Sequence, residues 1–154
     1  MSETARLADQ IRRAFEGQAW HGDSMLKILS GVNAKKAAAH PIKGAHSIWE
    51  LVLHVEAWDG AVLKRAGGMA VRLSAKKNFP PVTDTSEAAW KKAVEAMKKT
   101  HDELVQVVAA FPDSRLPEQV PGKKEKYYDF FYMFSGIVQH ELYHAGQMAL
   151  LKKR

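Results

Sequence analysis

Cysteine is missing altogether from this chain of 154 residues. Its absence excludes disulfide bonds, a thiolate nucleophile and any zinc or iron–sulfur site that has cysteine ligands. A metal ion in this protein would therefore be held by histidine, aspartate or glutamate side chains. A chain without cysteine also suits a reducing compartment, although it does not require one.

Long apolar runs are missing as well, since no stretch approaches the roughly 18 apolar residues that cross a bilayer. Residues 1–17 carry several charged side chains, among them Glu3, Arg12 and Arg13, and so lack the apolar centre of a signal peptide. We therefore predict a cytoplasmic protein with no membrane partner.

The third absence is a block of like charges, although the formal net charge is +6. The lysines stand in scattered pairs, such as Lys35-Lys36 and Lys152-Lys153, with no run of five or more like charges. Dispersed charge of this kind is typical of a solvated surface. DNA binding is thus the least favoured function, and we predict no specific nucleic-acid partner.

Helical periodicity, in contrast, is present through most of the chain. Apolar residues recur with the helical period in four segments, at about residues 3–32, 47–65, 85–111 and 128–153. The first segment is interrupted near Gly17 and Gly22. Ser47, with Glu50 three residues later, predicts a capping box at the start of the second. Because no alternating strand pattern is present, the sequence predicts one all-α domain over residues 1–154, a four-helix bundle.

Two irregular stretches separate the later segments. One follows Gly67-Gly68 and contains Pro80 and Pro81, and the other runs from Asp113 to Lys126. Both are long enough to carry the chain across the bundle, so a simple up-and-down topology is not required.

Three histidines fall on the apolar faces of these helices. His140 and His144 are four residues apart and thus lie one turn apart on a face that also carries Ile137 and Met148. His54 lies on the apolar stripe of the second helix. Burying an imidazole costs free energy unless its nitrogens find partners, and one shared metal ion satisfies all three rings. For any single histidine, the alternative is a hydrogen-bonded core residue.

The last two of these histidines belong to the string His140-Glu141-Leu142-Tyr143-His144, which matches the H-E-x-x-H signature of zinc proteases. In those enzymes the glutamate activates water and the third ligand lies downstream. No histidine, aspartate or glutamate follows His144, so the third ligand must come from upstream, where His54 is best placed. Glu141 is the candidate catalytic residue. Its alternatives are a hydrogen bond to a ligand histidine and a surface salt bridge.

Other histidines lie near helix faces or helix starts. His101 falls on the apolar stripe of the third helix, and we interpret it as a structural residue or as support for a ligand, and less readily as a ligand itself. His21 and His46 lie near a helix break and a helix start, which makes them candidates for the mouth of a pocket.

Residues 46–54 (HSIWELVLH) and 139–147 (QHELYHAGQ) resemble the DinB-like, damage-inducible group of bacterial proteins. Residues 19–22 and 127–134 share the likeness. The resemblance implies a four-helix bundle with a long crossover, a metal site at the three histidines named above, and a homodimer. The group includes metal-dependent hydrolase-like and thiol-transferase-like members.

Three protein ligands leave at least one coordination position open, which is the arrangement of catalytic metal sites. Neutral imidazoles suit zinc and nickel, our leading candidates, with iron and copper as alternatives. We predict a divalent-metal-dependent hydrolase or thiol transferase that acts on a small molecule. The alternative is a non-catalytic metal-binding or stress-response module, such as a sensor or a sequestering protein.

Overall fold

A computed structural model describes residues 1–154 and contains seven α-helices and no β-strand. No helix combines the length and the apolar content that spanning a lipid bilayer needs. The predicted all-α fold is confirmed. The helices are α1 (Glu3–Phe15), α2 (Met25–Leu29), α3 (Ala34–Ala38), α4 (Ile48–Ala66), α5 (Ala75–Asn78), α6 (Glu87–Ala110) and α7 (Phe130–Lys152).

Side-chain caps set where the long helices begin. Ser47 accepts a hydrogen bond from the backbone N–H of Glu50, whose carboxylate accepts one from the N–H of Ser47, so the predicted capping box is confirmed. Ser86 caps α6 and Asp129 caps α7, each through a side-chain oxygen that accepts from a backbone N–H. The helices that carry the candidate site therefore have fixed starting points.

The first predicted segment, residues 3–32, contains separate helices. α1 ends before Gly17, and the positive φ angles of Gly17 (87°) and Gly22 (133°) are incompatible with continued helix. α2 follows, and the side chain of Asn33 caps α3. α5 is a short helix inside a stretch that the sequence predicted to be irregular.

α1, α4, α6 and α7 form the four-helix bundle. α1 and α4 each pack against both α6 and α7, whereas α1 lies diagonally opposite α4 and α6 diagonally opposite α7. The chain must therefore cross the bundle twice, through residues 16–47 and 111–129. Residues 67–86 join the neighbouring helices α4 and α6, so only the second of the two predicted irregular stretches is a crossover.

Two apolar clusters form the core, one of 16 and one of 13 buried residues. A polar layer lies between them, made of the buried side chains of Asp59 on α4, His101 on α6 and Glu141 on α7. Along α6, Met97 belongs to one cluster and Leu104 to the other, with His101 between them. The interior is therefore apolar on both sides of a charged middle.

Replacing Ser47 with alanine tests how much its cap stabilises the helix that carries His54. We expect Ser47→Ala to lower the free energy of unfolding by about 1 kcal/mol, because a backbone N–H loses its acceptor. Urea denaturation followed by circular dichroism measures this change. Ser114→Ala, at an exposed position in the short 3-10 turn Asp113–Arg115, is the control and should cost less than about 0.5 kcal/mol. Equal losses in the two variants would contradict the role of the cap.

Candidate metal centre

α4 and α7 bring together the three histidines that the sequence predicted as ligands. His54 lies on α4, and His140 and His144 lie one turn apart on α7. One ring nitrogen from each lies within 4.8 Å of the others. The Nε2 atoms of His54 and His140 are 3.0 Å apart. Because His54 and His144 are buried and His140 is half-buried, the group could hold an ion at the edge of the core.

Hydrogen bonds determine which nitrogen is free in two of the rings. The Nδ1–H of His54 donates to the backbone carbonyl of Asn78 at 2.7 Å, and a carbonyl can only accept. The Nδ1–H of His144 donates to the side-chain oxygen of Gln147 at 2.6 Å. Both rings therefore keep the lone pair of Nε2 for a ligand, as do metal-binding histidines oriented by an acceptor behind the ring.

All three imidazoles are held in the neutral form that binds metals. Burial, together with the charges of His144 and His54, lowers the pKa of His140 to about 3. Burial also lowers the pKa values of His54 and His144, although the hydrogen bonds to Asn78 and Gln147 act in the opposite direction. At neutral pH the rings therefore carry no charge and can offer lone pairs to a cation.

The donor set fits a divalent transition-metal ion. Two nitrogens bound to one tetrahedral ion at about 2.1 Å are roughly 3.4 Å apart. The Nε2 atoms of His54 and His140, at 3.0 Å, approach that spacing. Nδ1 of His140 is buried without a hydrogen-bond partner, and Nε2 of this ring contacts Nε2 of His54. Imidazole nitrogen suits zinc and nickel as well as iron and copper.

Comparison with known proteins identifies the family of the chain. A family model described as the DinB superfamily matches residues 19–148, a range that includes all three histidines. The chain belongs to the DinB superfamily. No curated protein and no solved structure gives a significant match. The family resemblance seen in the sequence motifs is therefore confirmed, whereas metal binding by the three histidines stays a prediction.

The stretch between α4 and α6 forms one wall of this DinB-superfamily site. The ring of Phe79 stacks on His54 with 4.0 Å between ring centres, and it also stacks on His46 with 3.8 Å. Trp58 donates its Nε1–H to the side-chain oxygen of Asn78 at 2.8 Å. The exposed His46 therefore lies at the rim of the site. His21 is also exposed, but it lies beside a separate depression after α1.

A groove of about 850 Å³ opens beside His140. Its volume is in the range that small-molecule sites occupy. Tyr143, which the helical wheel of the last segment places away from the apolar stripe, lines this groove and is exposed. The lining is rich in aromatic side chains, among them Trp58, Tyr127, Phe131, Tyr132 and Tyr143. A small molecule bound in the groove would lie against one of the three candidate ligands.

Glu141 meets a second buried group rather than the solvent. Its carboxylate lies 3.0 Å from Nδ1 of His101, and the carboxylate of Asp59 lies 3.4 Å from the same nitrogen. All three side chains are at most 1% exposed, so the surface salt bridge considered for Glu141 is wrong. His101 is confirmed as a buried residue, but its polar neighbours are these carboxylates. The catalytic role of Glu141 stays a prediction.

Burial opposes every charge in this second group. It raises the pKa of Asp59 and raises that of Glu141 to about 8. Burial alone would lower the pKa of His101, but the two carboxylates outweigh it and raise this pKa to about 9. Without a bound metal ion, this group of Asp59, His101 and Glu141 therefore retains extra protons at neutral pH.

Sequence reasoning missed four side chains that shape the two groups: Asn78, Phe79, Gln147 and Asp59. Gln147 lies three residues after His144 on one helix, and that spacing alone identifies a neighbour able to accept a hydrogen bond. Asp59 interrupts the apolar side of α4, which also marks it from the sequence. The positions of Asn78 and Phe79 depend on the path of a connection, which no periodicity encodes.

Histidine burial predicts a pH dependence for chelated protein. Unfolded His140 takes up a proton near its ordinary pKa of about 6.5, whereas the folded state keeps it neutral down to a pKa of about 3. The stability that this group contributes is present above pH 6.5 and is lost as the pH falls toward 3. Between pH 7 and pH 5 the loss amounts to about 2 kcal/mol at most.

Urea denaturation of wild type and His140→Leu at both pH values measures this loss. Glu141, with its raised pKa, changes stability in the opposite direction over the same range, so the difference between the two proteins isolates His140. The variant should lose less stability on acidification than the wild type. Identical pH dependence in the two proteins would contradict the burial of a neutral ring.

The acceptor behind His144 predicts an effect on metal affinity. Gln147→Met keeps the shape of the side chain but removes the oxygen that receives the Nδ1–H, so the ring loses its orientation. We expect zinc affinity to fall about 10- to 100-fold in competition with a chromophoric chelator. Gln106→Met, at an exposed position on α6, is the matched control and should bind zinc like the wild type. Unchanged affinity in Gln147→Met would refute this role.

Proposed function

We propose that this DinB-superfamily protein is a metal-dependent enzyme that acts on a small molecule. The observation that carries the proposal is the convergence of three neutral imidazoles, within 4.8 Å of one another, beside a groove of about 850 Å³. His54, His140 and His144 would hold the ion. Three ligands are the number that catalytic sites use, because a further position stays available to a reactant.

Three neutral ligands would leave a bound divalent ion its full positive charge, which lowers the pKa of a water or thiol that coordinates it. The protein contributes the orientation of its donors. Asn78 and Gln147 hold two of the rings, and Phe79 covers the face of His54. Since these supports restrict ring rotation, little reorganisation would be needed when a reactant arrives.

Of the two reactions that the sequence suggested, we favour thiol transfer over hydrolysis. A hydrolase of the H-E-x-x-H kind needs its glutamate as a general base at the metal. Here the carboxylate of Glu141 is fully buried and lies against His101. In thiol transfer the cosubstrate supplies the nucleophile: its S–H loses the proton, and the sulfur bonds to an electrophilic carbon of an epoxide or activated alkene. The C–O bond of the epoxide or the π bond of the alkene breaks, and the oxygen or carbon that receives the electron pair takes up a proton. That reaction makes no demand on Glu141.

The groove supports an acceptor with an apolar or aromatic part. Its aromatic lining offers faces on which a planar group can stack, and His140 lies within that lining. Four of its aromatic side chains, Tyr127, Phe131, Tyr132 and Tyr143, are exposed and thus accessible to an incoming molecule. An exposed aromatic surface also suits a partner chain, so the homodimer that the resemblance implies stays part of the proposal.

Removing one ligand tests the metal site. We expect His140→Ala to lose about one equivalent of zinc per chain and all metal-dependent turnover, because two remaining imidazoles bind the ion far more weakly. Elemental analysis of the desalted protein measures the metal, and circular dichroism checks the fold. His21→Ala removes an exposed histidine outside the site and should keep zinc and activity. Zinc content that is equal in the wild type and in His140→Ala would overturn the proposed site.

A substrate panel distinguishes the possible reactions. One arm presents esters and amides in water, and the other presents a low-molecular-weight thiol with epoxides and activated alkenes. Thiol transfer predicts turnover only in the second arm, lost on chelation and restored by zinc. Turnover in the first arm alone would establish hydrolysis instead. No turnover in either arm, with zinc bound, would favour the non-catalytic metal-binding module.

A further inference from the structure

The polar layer of the core contains polar atoms that no hydrogen bond within the protein satisfies. Both oxygens of Asp59, both oxygens of Glu141 and both ring nitrogens of His101 are buried and lack a hydrogen-bond partner. Buried polar groups are nearly always paired, and each exception calls for a partner such as a water molecule or an ion. Nδ1 of His101 lies on the side of the ring that faces both carboxylates. These five atoms, Nδ1 and the four carboxylate oxygens, point to one shared partner, whereas Nε2 lies on the far side of the ring.

We propose that Asp59, His101 and Glu141 bind a second divalent metal ion inside the bundle. The two carboxylates and the imidazole offer ligand atoms that all lie within 4.8 Å of one another. They come from α4, α6 and α7, so three of the four bundle helices converge on the site. Metal sites in helix bundles are commonly built in this way, from inward side chains on facing helices. This inference is independent of the proposed function.

The distances match those between ligands of one ion. With bonds of about 2.1 Å, two ligand atoms are roughly 3.0 Å apart in octahedral and 3.4 Å apart in tetrahedral geometry. Nδ1 of His101 lies 3.0 Å from Glu141 and 3.4 Å from Asp59. The same separations alone would also suit hydrogen bonds, so direction has to decide between the two interpretations.

Direction favours the ion. Although Nδ1 of His101 is 3.0 Å from Oε1 of Glu141, it forms no hydrogen bond, which means that the oxygen lies off the N–H direction. An ion on the lone-pair axis of an imidazole holds its other ligands off that axis. The carboxylates are therefore placed as neighbouring ligands would be, close to the nitrogen yet outside its hydrogen-bond direction.

Charge balance allows a divalent ion at this site. Two carboxylates carry a charge of −2 when ionised, and no lysine or arginine approaches them closely enough to form an ion pair. Phe15 covers the ring of His101 with 3.9 Å between ring centres, and apolar clusters lie on both sides of the layer. Without an ion, the group is neutral in such surroundings only when it holds two extra protons, and a divalent cation would replace both. One divalent cation with a neutral imidazole makes the whole group neutral.

The ligands also indicate a different metal from that of the histidine triad, which is formed by His54, His140 and His144. Three imidazoles favour borderline ions such as zinc and nickel, whereas two carboxylates with one imidazole favour the harder ions manganese(II) and iron(II). The two groups share helices α4 and α7 but no ligand. The structure thus provides two candidate sites that prefer different metal ions. Manganese is the suitable probe for the second site because its content can be measured separately from that of zinc.

The test loads the full chain with both metals. Because the site is fully buried, wild type and variants are refolded with one equivalent of zinc per chain and an excess of manganese, passed over a chelating resin and subjected to elemental analysis. Limiting the zinc matters because zinc binds most nitrogen and oxygen sites more tightly than manganese does. We expect wild type to retain about one manganese per chain, and Asp59→Asn and Glu141→Gln to retain less than about one tenth of that. His140→Ala should lose zinc but keep manganese.

Asp102→Asn removes an exposed carboxylate next to His101 and is the matched control, which should keep manganese. Wild type that holds zinc but no manganese would overturn this inference and leave the proposed function intact. Equal manganese in wild type, Asp59→Asn and Glu141→Gln would also overturn it. If the amide variants fail to fold, crystals of manganese-loaded wild type decide: anomalous density between the three side chains supports the site, and its absence refutes it.

Discussion

Burying ionisable side chains in an apolar bundle is the constraint on which the rest of this structure depends. Each such group must find a partner or lose its charge, because the interior solvates ions poorly. α4 and α7 meet this constraint twice, since each supplies residues to the histidine triad and to the polar layer. A sliding of α4 along α7 would separate both groups at once. The two polar groups therefore fix the register of these helices more strictly than apolar packing, which tolerates small shifts.

The connection between α4 and α6 links this register to the geometry of the candidate site. Its backbone carbonyl at Asn78 orients His54, its Phe79 ring covers the same imidazole, and its Asn78 side chain holds Trp58. A loop that supplies the acceptor behind a ligand acts on the metal site without touching the ion. Changes in this connection should therefore alter the donor geometry of His54 even where the bundle itself is unaffected.

Periodicity was sufficient to predict the bundle and the three inward histidines, because both depend on which face of a helix is apolar. Periodicity failed where the burial of a side chain depends on two neighbouring helices at once. A surface salt bridge was one of the interpretations of Glu141, yet this side chain is fully buried. α7 packs against both α1 and α4, so its buried arc is wider than a single stripe. Asn78 and Phe79 could not be predicted at all, since their positions depend on a loop path that only the folded chain defines.

The H-E-x-x-H string shows how a motif takes its meaning from its surroundings. Residues 140 and 144 share one side of α7, and residue 141 is turned by about 100° from residue 140. In an open cleft, a glutamate at that position can turn toward the metal and its solvent. In this bundle the carboxylate lies 3.0 Å from Nδ1 of His101, inside the polar layer of the core and away from solvent. The same five residues therefore divide between two polar groups: the two histidines join His54, with His140 beside the groove, and the glutamate faces the centre of the core.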